Sequence, residues 1–121
     1  MPRAPAKATP KRTPRIPIVT TDTLGTQKVR YGSSVQATAV SGANILRDLR
    51  EAVTNTLGGK MVRYEKLLDA TIDRALETLE TRALEAGYDA VIGLRLSHPM
   101  ITEGAIEVVA IGTGVWFDPE S

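Results

Sequence analysis

An α+β fold is predicted by three features of the chain. Runs rich in β-branched residues lie near both ends and bracket a helical middle, in the order β-β-α-α-β-β. The middle carries one long apolar stripe at three- and four-residue spacing, Leu68, Ile72, Ala75, Leu76, Leu79, Ala83 and Ala86. The last run, Ala105 to Phe117, is apolar at consecutive positions Val108, Val109, Ala110 and Ile111, so both of its faces call for cover. The expected architecture is a mostly antiparallel sheet with two helices on one face.

The 121 residues make one domain on length. Aromatics are few, so the core must be aliphatic. No cysteine is present, which removes disulfides, thiolate metal sites and cysteine nucleophiles together. No apolar run is long enough to span a membrane, and no apolar segment follows the basic N-terminus as in a secretory signal. A cytoplasmic protein without membrane partners is the expectation. The formal charge of +1 hides an asymmetry. Arg3, Lys7, Lys11, Arg12 and Arg15 crowd the first fifteen residues without an acid, leaving ten basic against fourteen acidic residues elsewhere.

Residues 1–17 read as a proline-rich basic arm holding five of the seven prolines. Prolines favour an extended chain without backbone donors. The five cations suit a solvated tail that aids solubility, a larger protein assembly or neighbouring subunit or, less readily, nucleic acid. Residues 18–117 are the folded domain and 118–121 a short tail.

Ile16 to Thr21 reads as a first strand, limited to an edge or a strand start by Pro17. Asp22-Thr23-Leu24-Gly25 signals a turn. Lys28 to Val40 reads as a second strand interrupted near Gly32-Ser33-Ser34, with Val35, Ala37 and Ala39 on one face. Ser41 or Asn44 suits a helix cap. A first helix is expected over 44–57, with Ile45, Leu46, Leu49, Val53 and Leu57 on one side and Gly58-Gly59 as its stop.

The main helix is expected from Met61–Tyr64 to Gly87, with Lys66, Asp69, Asp73, Arg74, Glu77, Glu80 and Arg82 on the wet side. Its ~24 residues would run ~36 Å, longer than so small a core. Asp89 to Ser97 is expected as a strand with Val91, Gly93 and Arg95 on one face and Ile92, Leu94 and Leu96 on the other. The His98 loop then leads to the last strand. The two helices cover one face of the sheet. The other face has no cover left in the chain, which predicts a homo-oligomer.

Val19-Thr20-Thr21-Asp22, Asn44-Ile45-Leu46-Arg47-Asp48-Leu49, Gly58-Gly59 with Tyr64 and Leu67-Leu68, Ala75-Leu76, Ala90-Val91-Ile92-Gly93, Gly104-Ala105-Ile106-Glu107 and Gly112-Thr113 carry a resemblance. In this order and spacing they resemble the YbjQ-like family over about residues 18–117. These are small bacterial proteins of unknown function whose family description is heavy-metal binding. The resemblance implies a homo-pentameric ring with an inner β-barrel built from strands of every subunit. Three departures stand out. Gly32-Ser33-Ser34-Val35-Gln36-Ala37 replaces the family's apolar run and Arg-Gly-Ser. Gly58-Gly59-Lys60 replaces Gly-Gly-Glu and loses a carboxylate. The basic arm is an addition.

No catalytic residue can be assigned. Gly58-Gly59-Lys60 is not a phosphate loop, because a helix precedes it and Met61 follows. Gly112-Thr113-Gly114, inside a strand, points to a bulge or a close backbone approach. Ser33 and Ser34 have no base nearby in sequence. The metal candidates are His98, Met100 and Glu103, in one loop. Soft metals want thiolate, thioether or imidazole, and one imidazole per subunit is a thin supply. Asp22, Glu103 and Glu107 are the hard-cation candidates. No resident cofactor is expected. Glu107, in an apolar strand, needs pairing or solvent, and Arg95 is the expected partner. Arg95, Glu107 and Asp22 are thus the candidates for a ligand site or the lumen of a ring. A non-enzymatic ring binding a small ligand or ion between subunits is the leading expectation. A structural ring tethered by its arm is the alternative.

Overall fold

The computed structural model describes residues 13–42, 57–99 and 105–119, with backbone only for 57–64. Its elements are β1 (Val29–Ser41), α1 (Leu57–Glu85), β2 (Ala90–Ser97) and β3 (Ile106–Phe117). The strands form one antiparallel sheet in the order β1-β3-β2. The doubly apolar β3 takes the centre, where both of its edges are paired. The expected helix over 44–57 lies outside the described residues, apart from its last position.

That last position corrects one boundary. Leu57 already belongs to α1, so Gly58-Gly59 sits in the first turn of the long helix. Glycine costs least there, because the first turn makes the fewest intrahelical bonds. The 29 residues of α1 span about 43 Å. The helix closes in a Schellman pattern: the Tyr88 amide donates to the Ala83 carbonyl and the Gly87 amide to Leu84, each at 3.0 Å, with Gly87 at φ +84°.

One side of α1 seals one face of the sheet. Ala75, Leu79 and Ala83 are fully buried against Val35, Ala37 and Ala39 of β1 and Ile106, Val108 and Ala110 of β3. So many alanines let helix and sheet approach closely. Leu68, Ile72 and Leu76 border the contact half-buried, while Ala86 is exposed. Ser41 is not a helix cap. It ends β1, buried, with its hydroxyl 2.6 Å from that of Thr71, which also donates to the Leu67 carbonyl.

The expected first strand is not a sheet strand. Residues 16–24 run beside the free edge of β2, with one parallel bridge between Ile18 and Val91. Pro17 has no amide to give, and the pairing is too short for a ladder. The segment nevertheless supplies cover that the sequence reading did not provide for. Val19 and Leu24 lie over Ala90, Ile92 and Val115 on the face away from α1.

β2 also departs from strict alternation. Its register shifts between Ile92 and Arg95, where Gly93 takes φ +62°, a conformation that glycine adopts without steric cost. The extra residue puts Val91 and Leu94 on the α1 side together. Ile92 goes to the opposite face. A matching irregularity in β1 lies between Tyr31 and Ser34, at the predicted interruption.

Candidate functional site

Among the described residues, the part of the sheet face opposite α1 that Val19 and Leu24 do not reach carries exposed aliphatic side chains. The register lines up Gln36, Ile111 and Arg95 in one row, Thr38, Val109 and Ser97 in the next, and Val40 beside Glu107 in the third. Val40 is 48% exposed and Ile111 40%. On the central strand Ile111 and Val109 are aliphatic, and Gln36, Thr38, Arg95 and Ser97 beside them are polar or charged. Burying apolar side chains of this kind is favourable by about 25 cal/mol per Å².

Both edges of the sheet are occupied. On the β1 edge, the Arg74 guanidinium donates to the Val40 carbonyl at 3.1 Å and Arg82 to the Gln36 carbonyl at 2.8 Å. Two α1 arginines thus consume outward carbonyls that an added strand would need. A shallow groove of roughly 460 Å³ remains between them, lined by Thr38, Val40, Arg74, Glu77 and Thr81. On the β2 edge the 16–24 segment takes the backbone groups of Val91, Gly93 and Leu94.

The structure separates the expected Arg95–Glu107 pair. Arg95 lies opposite Ile111, whereas Glu107 lies opposite Val40, two rows away. Arg95 instead donates to the carbonyls of Thr20 and Leu94, each at 2.9 Å. Asp22 is exposed in the turn after Thr21, with Oδ1 3.6 Å from where a side chain at Gly93 would begin. Arg95 and Asp22 therefore both flank the bulge of β2, while Glu107 stands at the far end of the open face.

His98 donates from Nδ1 to the Glu107 carbonyl at 2.6 Å, which leaves Nε2 as its ligating nitrogen. It borders a small apolar pocket of about 170 Å³ with Leu68, Ile72, Leu96 and Val108. Met100 and Glu103 lie outside the described residues. Among those described, no three His, Asp or Glu side chains converge on a common point. One imidazole nitrogen per subunit is a thin supply for a soft metal. Of the arm cations, Arg3, Lys7, Lys11 and Arg12 also lie outside the described residues, and Arg15 is the one placed.

Arg15 leads to a carboxylate that the sequence reading put on the wet side. Glu80 is 2% exposed. It accepts the backbone amides of Arg15 and Ile16, the latter at 3.2 Å, and lies 3.6 Å from the Arg15 guanidinium. The signal was present in the spacing. Ile72, Leu76 and Glu80 follow one another at four-residue intervals, so Glu80 continues a partly buried ridge.

Tyr88 is a second residue whose role was missed. Its ring lies against Gly32 and Gly114, so close that a Cβ at either would fall within 2.3 Å of ring carbons. Its hydroxyl accepts the Ser33 amide at 2.8 Å and so fills the irregularity in β1. Trp116 packs 5.0 Å from it, with the Arg30 guanidinium 5.7 Å over the indole. The close approach expected around Gly112-Thr113-Gly114 is this contact, together with that of Val91 on Gly112.

Comparison with known proteins places this geometry in a family. A "UPF0145 protein" of Carboxydothermus hydrogenoformans is 32% identical over 96 residues, covering 79% of this chain and 90% of its own length. One from Synechococcus sp. is 36% identical over 81% of this chain and 95% of its own. One from Actinobacillus pleuropneumoniae is 37% identical, with the same two shares. A crystal structure of a protein of unknown function from Pediococcus pentosaceus, assigned to the DUF74 family, superposes with a TM-score of 0.61 at 17% identity. That superposition covers 85% of this chain and 98% of the other, and it shows a shared fold. The model of the YbjQ_1 family, described as "putative heavy-metal-binding", matches residues 16–118, and the chain belongs to that family.

Proposed function

We propose that the chain is a non-enzymatic subunit of a homo-oligomeric ring whose subunits meet through the open face of the sheet. One observation carries the reading: Ile111 on the central strand and Val40 on β1 stand 40% and 48% exposed on a face whose opposite side is sealed by α1. Paired strands hold these residues in place, so covering them costs little ordering entropy. Arg74, Arg82 and the 16–24 segment occupy the sheet edges, which leaves the face as the route of association. Turned toward a common axis, such faces would form the wall of an inner barrel, with Glu107 and Arg95 at opposite ends of it. The number five comes from family resemblance. A small ligand or ion would then bind between subunits, on groups that one copy leaves apart.

Native mass spectrometry of the purified chain tests this reading. The expected result is one closed oligomer, reduced to single subunits by Ile111→Lys. A monomer at micromolar concentration overturns it. A small mass retained per ring supports a bound ligand. The second reading, a ring tethered to a larger assembly, is favoured by the fixed root that Glu80 gives the basic arm at Arg15 and Ile16. Deleting residues 1–12 should abolish the tether and leave the ring intact.

A further inference from the structure

We infer that residues 14–24 are an exchangeable strap, and that the strap of one copy takes the β2-edge seat of a second copy in place of that copy's own. The inference does not depend on association through the open face.

The seat has three parts, and all of them lie within the strap's own length. The first is the backbone of β2. Val91 and Leu94 donate to the carbonyls of Pro17 and Val19 at 2.9 and 3.0 Å, Gly93 donates to Thr21 at 2.8 Å, and the Val19 amide donates to Val91 at 2.9 Å. Arg95 adds its bond to Thr20 from the side. The second part is the apolar floor of Ala90, Ile92 and Val115 under Val19 and Leu24. The third is the Glu80 carboxylate, which buckles the start of the strap through the Arg15 and Ile16 amides.

None of these contacts depends on which chain supplies the strap. Exchange keeps every one and alters only the connection to β1. That connection is a tight turn: Gln27 donates to the Leu24 carbonyl at 3.0 Å, and Gly25 takes φ +61°. Short hinges of this kind favour exchange over closure when they open. The strap is also a distinct unit. It is held by backbone pairing, the Glu80 carboxylate and a few exposed side-chain bonds from Arg95 and Arg15, and its apolar side chains Ile16, Ile18, Val19 and Leu24 are only half-buried. Such segments open at lower free energy than the core they cover. When this one opens, the β2 edge loses its partners and Ala90, Ile92 and Val115 lose their cover. A second strap satisfies both needs at once. The β1 edge is a poorer alternative, because Arg74 and Arg82 already bond two of its carbonyls.

The absence of cysteine makes the test direct. Thr20→Cys and Arg95→Cys variants are purified separately, mixed, and treated with a short bis-maleimide; both positions are exposed. The doubly substituted chain shows that the reagent spans the seat. The expected result is a covalent dimer that accumulates with time after mixing, about tenfold faster or more when both chains also carry Glu80→Gln, which removes charge-assisted bonds at the buckle. Two results overturn the proposal. One is linkage confined to single chains of the doubly substituted variant. The other is an intermolecular link that forms at once and at the same rate with Glu80→Gln, which reports proximity without exchange.

Discussion

The two faces of the single sheet have opposite construction. On the α1 side, small residues from three elements, Ala37, Ala39, Ala75, Ala83 and Ala110, are buried almost completely. On the other side, Val19 and Leu24 cover one end, and Val40 and Ile111 project from the remainder. Both faces carry aliphatic side chains. They differ in what is brought to them. A helix more than 40 Å long reaches along one face, whereas a strap of about ten residues reaches only the end nearest its attachment. Apolar sequence alone therefore does not make a core. A face becomes core where the chain has an element long enough to lie on it, and it stays partly exposed where the described residues bring none.

The contrast can be broken at several points. The largest effect is expected on the α1 side, where Leu79→Ala should cost about 2–5 kcal/mol in chemical denaturation, because it opens a cavity in rigid surroundings. Gly114→Ala comes next. The added methyl meets the Tyr88 ring, and displacing the ring also strips the Ser33 amide of its partner. A loss of about 1–3 kcal/mol is expected, with altered near-ultraviolet circular dichroism as the Tyr88–Trp116 contact shifts.

Glu80→Gln should cost about 1–2 kcal/mol locally through the weakened charge-assisted bonds. Its signature is faster hydrogen exchange at the Val91, Gly93 and Leu94 amides with unchanged protection in the centre of β3. Uniform acceleration would show that the strap and the core are one cooperative unit. The smallest effect on the subunit fold is expected from Ile111→Thr on the open face, within about 0.5 kcal/mol. If that substitution destabilised the isolated subunit as much as Leu79→Ala, the two faces would not differ as described.

Much of this construction was legible before the structure. The α1 stripe was readable because helical packing repeats at three and four residues, and Ala75, Leu79 and Ala83 obey that period. The inward face of β1 was readable from the alternation of Val35, Ala37 and Ala39. The faces of β2 were not, because the bulge at Gly93 breaks the alternation on which the reading relied. Glu80 was misplaced because a carboxylate reads as solvated unless its donors are known, and those donors come from residues 64 and 65 positions away. The pairing of Arg95 with Glu107 assumed a register that β3 does not adopt.

The division follows from the range of the interactions. Periodicity and composition are local, so the amino-acid order was enough to settle the α+β class, the long helix, the doubly apolar last strand and the lack of thiol chemistry. Which face stays open, which edge is strapped and which carboxylate is buried depend on contacts between residues far apart in the chain. Those contacts were chosen only when α1, with its limited reach and its one apolar side, came to rest on one face of the sheet and left the other to a short strap.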